Sequence, residues 1–452
     1  YRETGMKTNT GSASLLLPWV FPAIIALGAL TIFVSGRDLT QLFLTLESVA
    51  ETTRHPVAMW LQRGVSLLLL IASAEIVARH FAQKRPAPSV TLLVGFVLYW
   101  FGTVGIPAVF AANPMISHEY LYSLVLGIAI CLVGPVEQER LLRHGRDALF
   151  VLMLLGVLLV PFKTNMVMDT SYNQGLIRGL PRFGGLTPHP VTQGMLAQIA
   201  LLLLWVKPYE KRWLNRAAWA LGLGVLYVAQ SKTAWVAFVV CAMVLWLVRR
   251  GSSFAQRATD PRDNTVGVLA CLSVIVGVLG IAGWILLGGP FGQPADFPNS
   301  AEGAQLMSLT GRDRIWIAAI EEWQMNPTFG YGLSIWDAAY RTAIGMPNAT
   351  HAHNQFLDDL ARAGSVGATA LVIYAVILLV LSVRSARASG GLSLALFVAL
   401  ALRSVSEVPL SLMGYGTELF THLLLLATVA AASAQRQVQA RPASSLRFGV
   451  AS

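Results

Sequence analysis

Long apolar runs recur along the chain and are separated by short polar segments. A helix needs about 20 mostly apolar residues to cross the hydrocarbon core of a bilayer. The runs predict about twelve membrane-spanning helices, at 14–34, 57–78, 89–111, 119–135, 148–162, 191–206, 213–229, 232–248, 265–288, 364–383, 391–408 and 412–432. The predicted fold class is therefore an all-α polytopic membrane protein.

The composition supports this fold class. Of the 452 residues, 55% are hydrophobic and 12% are charged, whereas a soluble protein carries roughly 25% charged residues. A soluble multidomain enzyme and a disordered chain are both excluded on this ground. Cys131, Cys241 and Cys271 lie inside apolar runs. We interpret them as core residues and not as a disulfide set or a zinc site.

The distribution of positive charge predicts the orientation in the membrane. The net charge is +10, and most Lys and Arg residues fall in alternate connecting segments. Because cytoplasmic segments are enriched in Lys and Arg, residues 1–13 and the tail 433–452 are both predicted to be cytoplasmic. Residues 1–5, which precede Met6, are interpreted as the remnant of a tag. Membrane lipids are expected partners, and nucleic acid is not, because no basic stripe with interleaved aromatic residues is present.

Two long outer segments divide the predicted topology. Spans one to nine occupy 14–288 and include an outer loop at 163–190. The larger outer loop, 289–363, is predicted to contain short amphipathic helices, and spans ten to twelve occupy 364–432.

Ten cations lie on the predicted outer side, against the charge rule, and five of them form a set of special interest: Arg178, Arg182, Lys232, Arg312 and Arg314. One explanation is pairing with acidic residues or ordinary solvation. The explanation that we favour for the set is a shared anionic ligand, because Arg binds phosphate oxygens through two parallel hydrogen bonds.

The segments around these cations have distinct local signals. Three Gly and three Pro in 178–190 make a regular helix unfavourable. Ser231 is predicted to cap the next helix, which places Lys232 in its first turn. Thr310 and Asp313 predict a capping box for an amphipathic helix that ends at Asn326-Pro327.

A His-rich turn precedes the last group of spans. Thr350 is predicted to cap a helix with His353 and Asn354 in its first turn, and Gly364 ends or hinges that helix. The pair His351 and His353 has the spacing of half a metal site, but no further ligand cluster accompanies it, so no metal is predicted. An outer His among cations favours general-base chemistry, and a purely structural His is the alternative.

Two charges fall inside one predicted span. Arg403 and Glu407 are four residues apart, and we interpret them as a structural pair on one helix face.

The order of the outer motifs resembles the O-antigen ligase / O-antigen polymerase superfamily of bacterial envelope proteins. The resembling segments lie between about residues 180 and 370: Arg182-Phe-Gly-Gly…Pro190, Ser231-Lys232-Thr-Ala-Trp235, Gly311-Arg312-Asp-Arg-Ile-Trp316, Asn326-Pro327-Thr-Phe-Gly-Tyr-Gly332 and His351-Ala-His353-Asn354-Gln355-Phe-Leu357, followed by Gly364 and Gly367. Two positions depart from the family: Lys232 stands where many members have Arg, and His189-Pro190 where relatives often have Pro-Asn.

The resemblance implies a GT-C-like membrane glycosyltransferase of the bacterial inner membrane with its active site at the periplasmic face. Its donor would be an O-antigen glycan on undecaprenyl pyrophosphate, and the acceptor of a ligase is lipid A–core oligosaccharide. The family's essential His falls on His353, and its motif Arg residues fall on Arg182 and Arg312.

In the reaction so implied, fixed cations stabilise the departing pyrophosphate while His353 takes the proton of the acceptor hydroxyl. The cations are Arg182, Lys232 and Arg312, with Arg314 as a second choice; His351, Asn354, Arg178 and His189 are secondary candidates. No Asp-x-Asp metal motif is present, so no cofactor is expected, and direct displacement would invert the anomeric centre.

Three alternatives stay open at this stage. An O-antigen polymerase and a protein O-oligosaccharyltransferase share the donor and differ in the acceptor. A lipid-linked glycan flippase is a non-enzymatic alternative, and its transport would survive a His353→Ala substitution.

Overall fold

The computed structural model describes residues 16–40, 56–171, 179–250, 312–346, 349–414 and 417–440. These residues are mainly helical. After a 3-10 turn at Leu17–Trp19, the helices are α1 Val20–Ser35, α2 Pro56–Ala82, α3 Val90–Trp100, α4 Pro107–Phe110, α5 His118–Cys131, α6 Pro135–Leu159, α7 Thr164–Val167, α8 Pro190–Val206, α9 Arg212–Val228, α10 Lys232–Arg250, α11 Arg312–Met325, α12 Ala338–Ala343, α13 Gln355–Ser385, α14 Leu392–Ser404 and α15 Thr417–Ala440. A π-helical turn at Phe101–Gly105 continues α3.

The helical class and the multi-pass character are confirmed. Among the described residues, six helical segments are long and apolar enough to cross a membrane: Leu17–Ser35, Pro56–Ala82, Val90–Phe110, Lys232–Arg249, Gln355–Ser385 and Leu419–Gln437. Every other predicted span coincides with a helix that is shorter or less apolar, except 265–288, which lies outside the described residues. The total of twelve spans stays a prediction.

Two apolar helices form the centre of the bundle. Every residue of α8 from Thr192 to Leu204 is buried, and α15 is buried from Leu419 to Ala432. Because these helices are apolar on all sides, they are suited to burial within the bundle. Helix α8 packs against α6, α9 and α10, while α15 packs against α5, α6 and α14.

In the predicted outer loop, the described residues 163–171 and 179–189 contain no helix other than the short α7, and 179–189 has no regular helix, in agreement with its Gly and Pro content. Two-residue strands pair antiparallel, with Met168 opposite Phe183 and Asp169 opposite Arg182. Arg37, just after α1, holds this loop together because its buried guanidinium donates to four backbone oxygens, those of Met166, Gly185, Thr187 and Pro188. These bonds account for Arg37, a cation on the predicted outer side, without a ligand.

Helix α13 differs from the prediction in its first turn. The helix begins at Gln355, and its cap is Asn354, whose side chain accepts from the Leu357 amide at 3.1 Å. Thr350 is therefore not the cap, and His353 lies before the helix instead of in its first turn. Gly364 is a hinge within α13 (φ 64°, ψ −160°), and the helix continues to Ser385.

The amphipathic helix predicted after Thr310 is α11, and it ends before Asn326-Pro327 as expected. Thr310 itself lies outside the described residues. Helix α11 packs against α13, and the turn that follows it contacts the hinge, where Ser365 donates its amide proton to the Pro327 oxygen at 2.8 Å.

A Gly364→Ala substitution should destabilise this hinge strongly. The added Cβ would lie 2.4 Å from the Thr328 oxygen, and the backbone conformation alone costs an L residue about 1–3 kcal/mol. Thermal unfolding of the detergent-solubilised protein measures the effect. Gly224→Ala is the matched control, because nothing lies within 4 Å of its added Cβ; equal melting temperatures for the two variants would contradict the packing described.

Candidate active site

Three side chains meet at one carboxylate between the start of α13 and the end of α14. The Glu407 Oε2 atom lies 3.2 Å from His353 Nδ1 and 3.5 Å from His351 Nε2. Its Oε1 atom lies 3.4 Å from Arg312 Nη2. Glu407 thereby joins three segments that are far apart in the sequence.

Local structure explains how these side chains reach one another. Helix α14 ends at Ser404, and Glu407 lies in the irregular segment before Pro409, a residue that disfavours helix at the position preceding it. Arg312, at the start of α11, is fixed on the same segment because its Nη1 donates to the Ser406 oxygen at 3.1 Å.

The charge of Glu407 is held by its neighbours. Burial opposes its ionisation, but the hydrogen bond from His353 and the charges of His353, His351 and Arg312 outweigh burial and hold the pKa of Glu407 well below its usual range. The carboxylate is therefore ionised at neutral pH, so the cluster combines one fixed negative charge with one guanidinium and two imidazoles.

The hydrogen bond to Glu407 determines which nitrogen of His353 can act as a base. An ionised carboxylate only accepts, so the proton of a neutral His353 ring lies on Nδ1 and faces Glu407. The Nε2 atom then carries the lone pair. His353 has a positive φ of 49°, which is uncommon for a residue with a side chain, and its ring packs 4.1 Å from that of His351.

In the described part of the chain, the group His351, His353 and Glu407 is the one whose ligand atoms are close enough to hold a metal ion, all within 4.8 Å of one another. The hydrogen bonds of His351 do not suit this role. Its Nδ1 accepts from the His353 amide at 3.1 Å, so a neutral ring carries its proton on Nε2, the atom that faces Glu407. Burial, followed by the charge of His353, lowers the pKa of His351 to about 4, which keeps the ring neutral and Nε2 without a free lone pair.

Arg182 lies against the hairpin between α9 and α10. Its buried side chain donates through Nε to the Ala229 oxygen at 2.9 Å, and Gln230 returns a bond from its side chain to the Leu180 oxygen at 2.8 Å. Ser231 caps α10 by accepting from the Ala234 amide at 3.4 Å. Lys232, at the start of that helix, is exposed. Arg182 therefore packs against the hairpin from which the helix with Lys232 begins.

The ring of His189 interacts electrostatically with both Arg182 and the His353–Glu407 pair. Its Nδ1 caps α8 by accepting from the Val191 amide at 3.0 Å. The charges of Arg182, Glu407 and His353 act on the ring. Burial, followed by the charge of Arg182, lowers the pKa of His189 to about 3, and the ring is neutral at pH 7.

The other predicted site residues have different positions. Asn354 caps α13 and its side-chain amide also donates to the Val405 oxygen at 3.4 Å. Arg314 is exposed on α11. Arg178 lies outside the described residues.

Comparison with known proteins finds a matching family model. Residues 217–372 match the family model described as O-Antigen ligase. This match confirms the resemblance to the O-antigen ligase / O-antigen polymerase superfamily. No curated protein matches the chain.

The O-antigen ligase match covers some of the candidate site residues and not others. Lys232, Arg312 and His353 lie inside the matched segment, whereas Arg182 and Glu407 lie outside it. Members of this superfamily are membrane glycosyltransferase-like enzymes, which agrees with the multi-pass helical fold.

Glu407 is the site residue that the sequence reasoning missed. We interpreted it as the helical partner of Arg403. Its charge does act on Arg403, but its carboxylate also contacts His351, His353 and Arg312. The signal that points to it is Pro409, which predicts that the helix ends at or before Val408 and so places Glu407 near a helix end.

Proposed function

We propose that the protein is an O-antigen ligase: a glycosyltransferase that moves O-antigen glycan from undecaprenyl pyrophosphate to lipid A–core oligosaccharide at the periplasmic face of the inner membrane. The observation that carries this proposal is the His353–Glu407–Arg312 cluster. It combines a base, a carboxylate that orients the base and a cation. The base and the cation lie within the family-matched residues 217–372.

The reaction needs charge stabilisation at the leaving group. When the anomeric carbon is attacked, the bond to the pyrophosphate oxygen breaks and negative charge develops on the diphosphate. Arg312, Arg182 and Lys232 would hold that diphosphate, because preorganised cations stabilise a transition state in which charge is forming. The two Arg residues have forks that match phosphate oxygens, whereas Lys232 acts as a point charge.

The reaction also needs a base for the acceptor hydroxyl. His353 Nε2 would accept the hydroxyl proton while the hydroxyl oxygen forms the new glycosidic bond. Glu407 then stabilises the imidazolium through Nδ1, as an acidic partner does in catalytic triads. Attack opposite to the leaving diphosphate inverts the anomeric centre.

We expect Glu407→Gln to reduce kcat about 10²-fold without weakening donor binding. The amide can still accept a hydrogen bond from His353 but lacks the charge that stabilises the imidazolium, and general-base catalysis is worth about 10²–10⁴-fold. Loss of the carboxylate also removes a repulsive charge from the diphosphate site. Donor titration beside turnover measures both; a Kd that rises while kcat is unchanged would contradict this role.

Transfer should not require a divalent metal ion. Arg182, Lys232 and Arg312 would fill the electrostatic role of a metal, and His351 keeps its proton on the nitrogen that faces Glu407. We expect unchanged initial rates after EDTA treatment. Loss of activity with EDTA and its recovery on addition of Mg²⁺ or Mn²⁺ would contradict the metal-free mechanism.

The acceptor distinguishes the proposed ligase from its relatives. Purified protein in proteoliposomes is given lipid-linked glycan and one of three acceptors: lipid A–core, a second lipid-linked glycan, or a pilin-like protein. Glycan on lipid A–core supports the ligase. Transfer only to the second glycan would identify a polymerase, transfer only to protein an O-oligosaccharyltransferase, and transbilayer movement without transfer a flippase.

A further inference from the structure

Ala352, between the two histidines, is held through both its backbone amide and its backbone oxygen. The Ala352 amide donates to Asp358 Oδ1 at 2.9 Å, and the Ala352 oxygen accepts from Trp316 Nε1 at 2.8 Å. Ala352 is fully buried. Both backbone polar groups of this one residue are therefore bonded to side chains, one from α13 and one from α11.

Asp358 is itself fixed from the other side. Its Oδ2 accepts from Arg362 Nη2 at 3.0 Å and from Arg362 Nε at 3.2 Å. Arg362 also donates through Nη1 to the Tyr120 hydroxyl at 3.0 Å and to the Leu333 oxygen at 3.2 Å. The carboxylate thus connects the turn at 351–353 with α5 and with the segment between α11 and α12.

The turn needs such support because of its backbone. His353 has a left-handed φ of 49°, and a non-glycine residue there persists only where its surroundings fix it. If Ala352 rotated, the His353 ring would lose the geometry that brings Nδ1 within 3.2 Å of Glu407. A buried ion pair can specify one conformation even where it adds little stability. The Asp358–Arg362 pair is suited to this use, because it fixes the carboxylate that holds the turn.

We propose that Asp358, supported by Arg362, and Trp316 are positioning residues for the proposed general base: their bonds to Ala352 keep His353 turned toward Glu407. The inference rests on the proposed function. It concerns residues that touch neither the diphosphate nor the acceptor, so its consequence is a change in turnover without a change in donor affinity.

The chain offers a matched control for each residue. Asp359 is equally buried and adjacent, but its carboxylate accepts from Gln355 Nε2 at 3.0 Å and from the Tyr99 hydroxyl at 3.4 Å, not from the turn. Trp323 lies on the same helix as Trp316 and donates to the Ser365 hydroxyl at 3.2 Å. Asp359→Asn and Trp323→Phe therefore make the same chemical changes away from Ala352.

The test compares the four variants in two measurements: kcat and KM for transfer, and hydrogen–deuterium exchange of the 351–354 amides. Removing one hydrogen bond changes the equilibrium constant of a conformational change by about tenfold. We expect Trp316→Phe to lower kcat about tenfold and Asp358→Asn about 10²-fold, with donor KM unchanged and about tenfold faster exchange at Ala352. Asp359→Asn and Trp323→Phe should change neither measurement more than about twofold.

Several results would overturn the inference. Equal kcat in the test and control variants would do so, and so would faster exchange with kcat unchanged. If Asp358→Asn does not fold, Trp316→Phe carries the same test, because it removes the N–H donor to the Ala352 oxygen and Trp323→Phe controls for the smaller ring. If the wild-type protein transfers glycan to no acceptor, the proposed function fails, while the exchange rates still decide whether these side chains hold the turn.

Discussion

A His353→Asn substitution is expected to reduce the turnover of glycan transfer by about 10³-fold, within the range of about 10²–10⁴ that general acid–base catalysis supplies. Asn is the suitable replacement because it tolerates the left-handed backbone conformation of this position. It keeps a polar side chain but has no group that accepts a proton near neutral pH. The base is removed while the turn is preserved.

The variant should still bind the lipid-linked donor. His353 contacts Glu407 and His351, and the cations proposed to hold the diphosphate are on other segments. Single-turnover kinetics with a separate donor-binding titration measure both quantities. His118→Ala, an exposed His at the start of α5, is the control and should behave as the wild type. Normal turnover in His353→Asn would contradict the assignment of the base.

An Arg312→Gln substitution is expected to lower kcat/KM by about 10²–10³-fold, comparable to the loss of one donor that stabilises a developing oxyanion. The guanidinium is held by the Ser406 oxygen and the Glu407 carboxylate, so it is oriented before a ligand arrives. Gln lacks both the charge and the fork. Arg312→Lys keeps the charge alone and should retain about a tenth of the activity.

The loss should appear in donor affinity as well as in turnover, which separates Arg312 from His353. Arg216→Gln is the matched control, because Arg216 is exposed on α9 on the predicted cytoplasmic side. An Arg312→Gln enzyme whose donor affinity and kcat both equal those of the wild type would contradict a role at the diphosphate.

Hydropathy predicted the helices well because each one must be apolar over its length to pack or to face lipid. The start of α10 after Ser231 and the end of α11 before Asn326 followed from capping and proline signals. The cap of α13 did not, because Thr350 and Asn354 have similar capping propensity, and tertiary bonds to Ala352 decide where the turn ends and the helix begins.

The site was partly predictable for a related reason. Arg182, Arg312 and His353 have uncommon residue types for an outer segment, and this marks them in the sequence. Glu407, which contacts Arg312 and His353, has no such mark, because an acid four residues after Arg403 also fits an ordinary helix pair. Only the packing of three distant segments brings that carboxylate to His353 and Arg312.

The central claim is that Arg182, Lys232 and Arg312 bind one diphosphate beside His353. Cryo-electron microscopy of the protein in nanodiscs with undecaprenyl pyrophosphate tests it most directly. We expect phosphate density in hydrogen-bond contact with the Arg182 and Arg312 guanidinium groups, with His353 Nε2 facing the bound diphosphate. Diphosphate bound at another surface, with both guanidinium groups left in their present contacts, would contradict it.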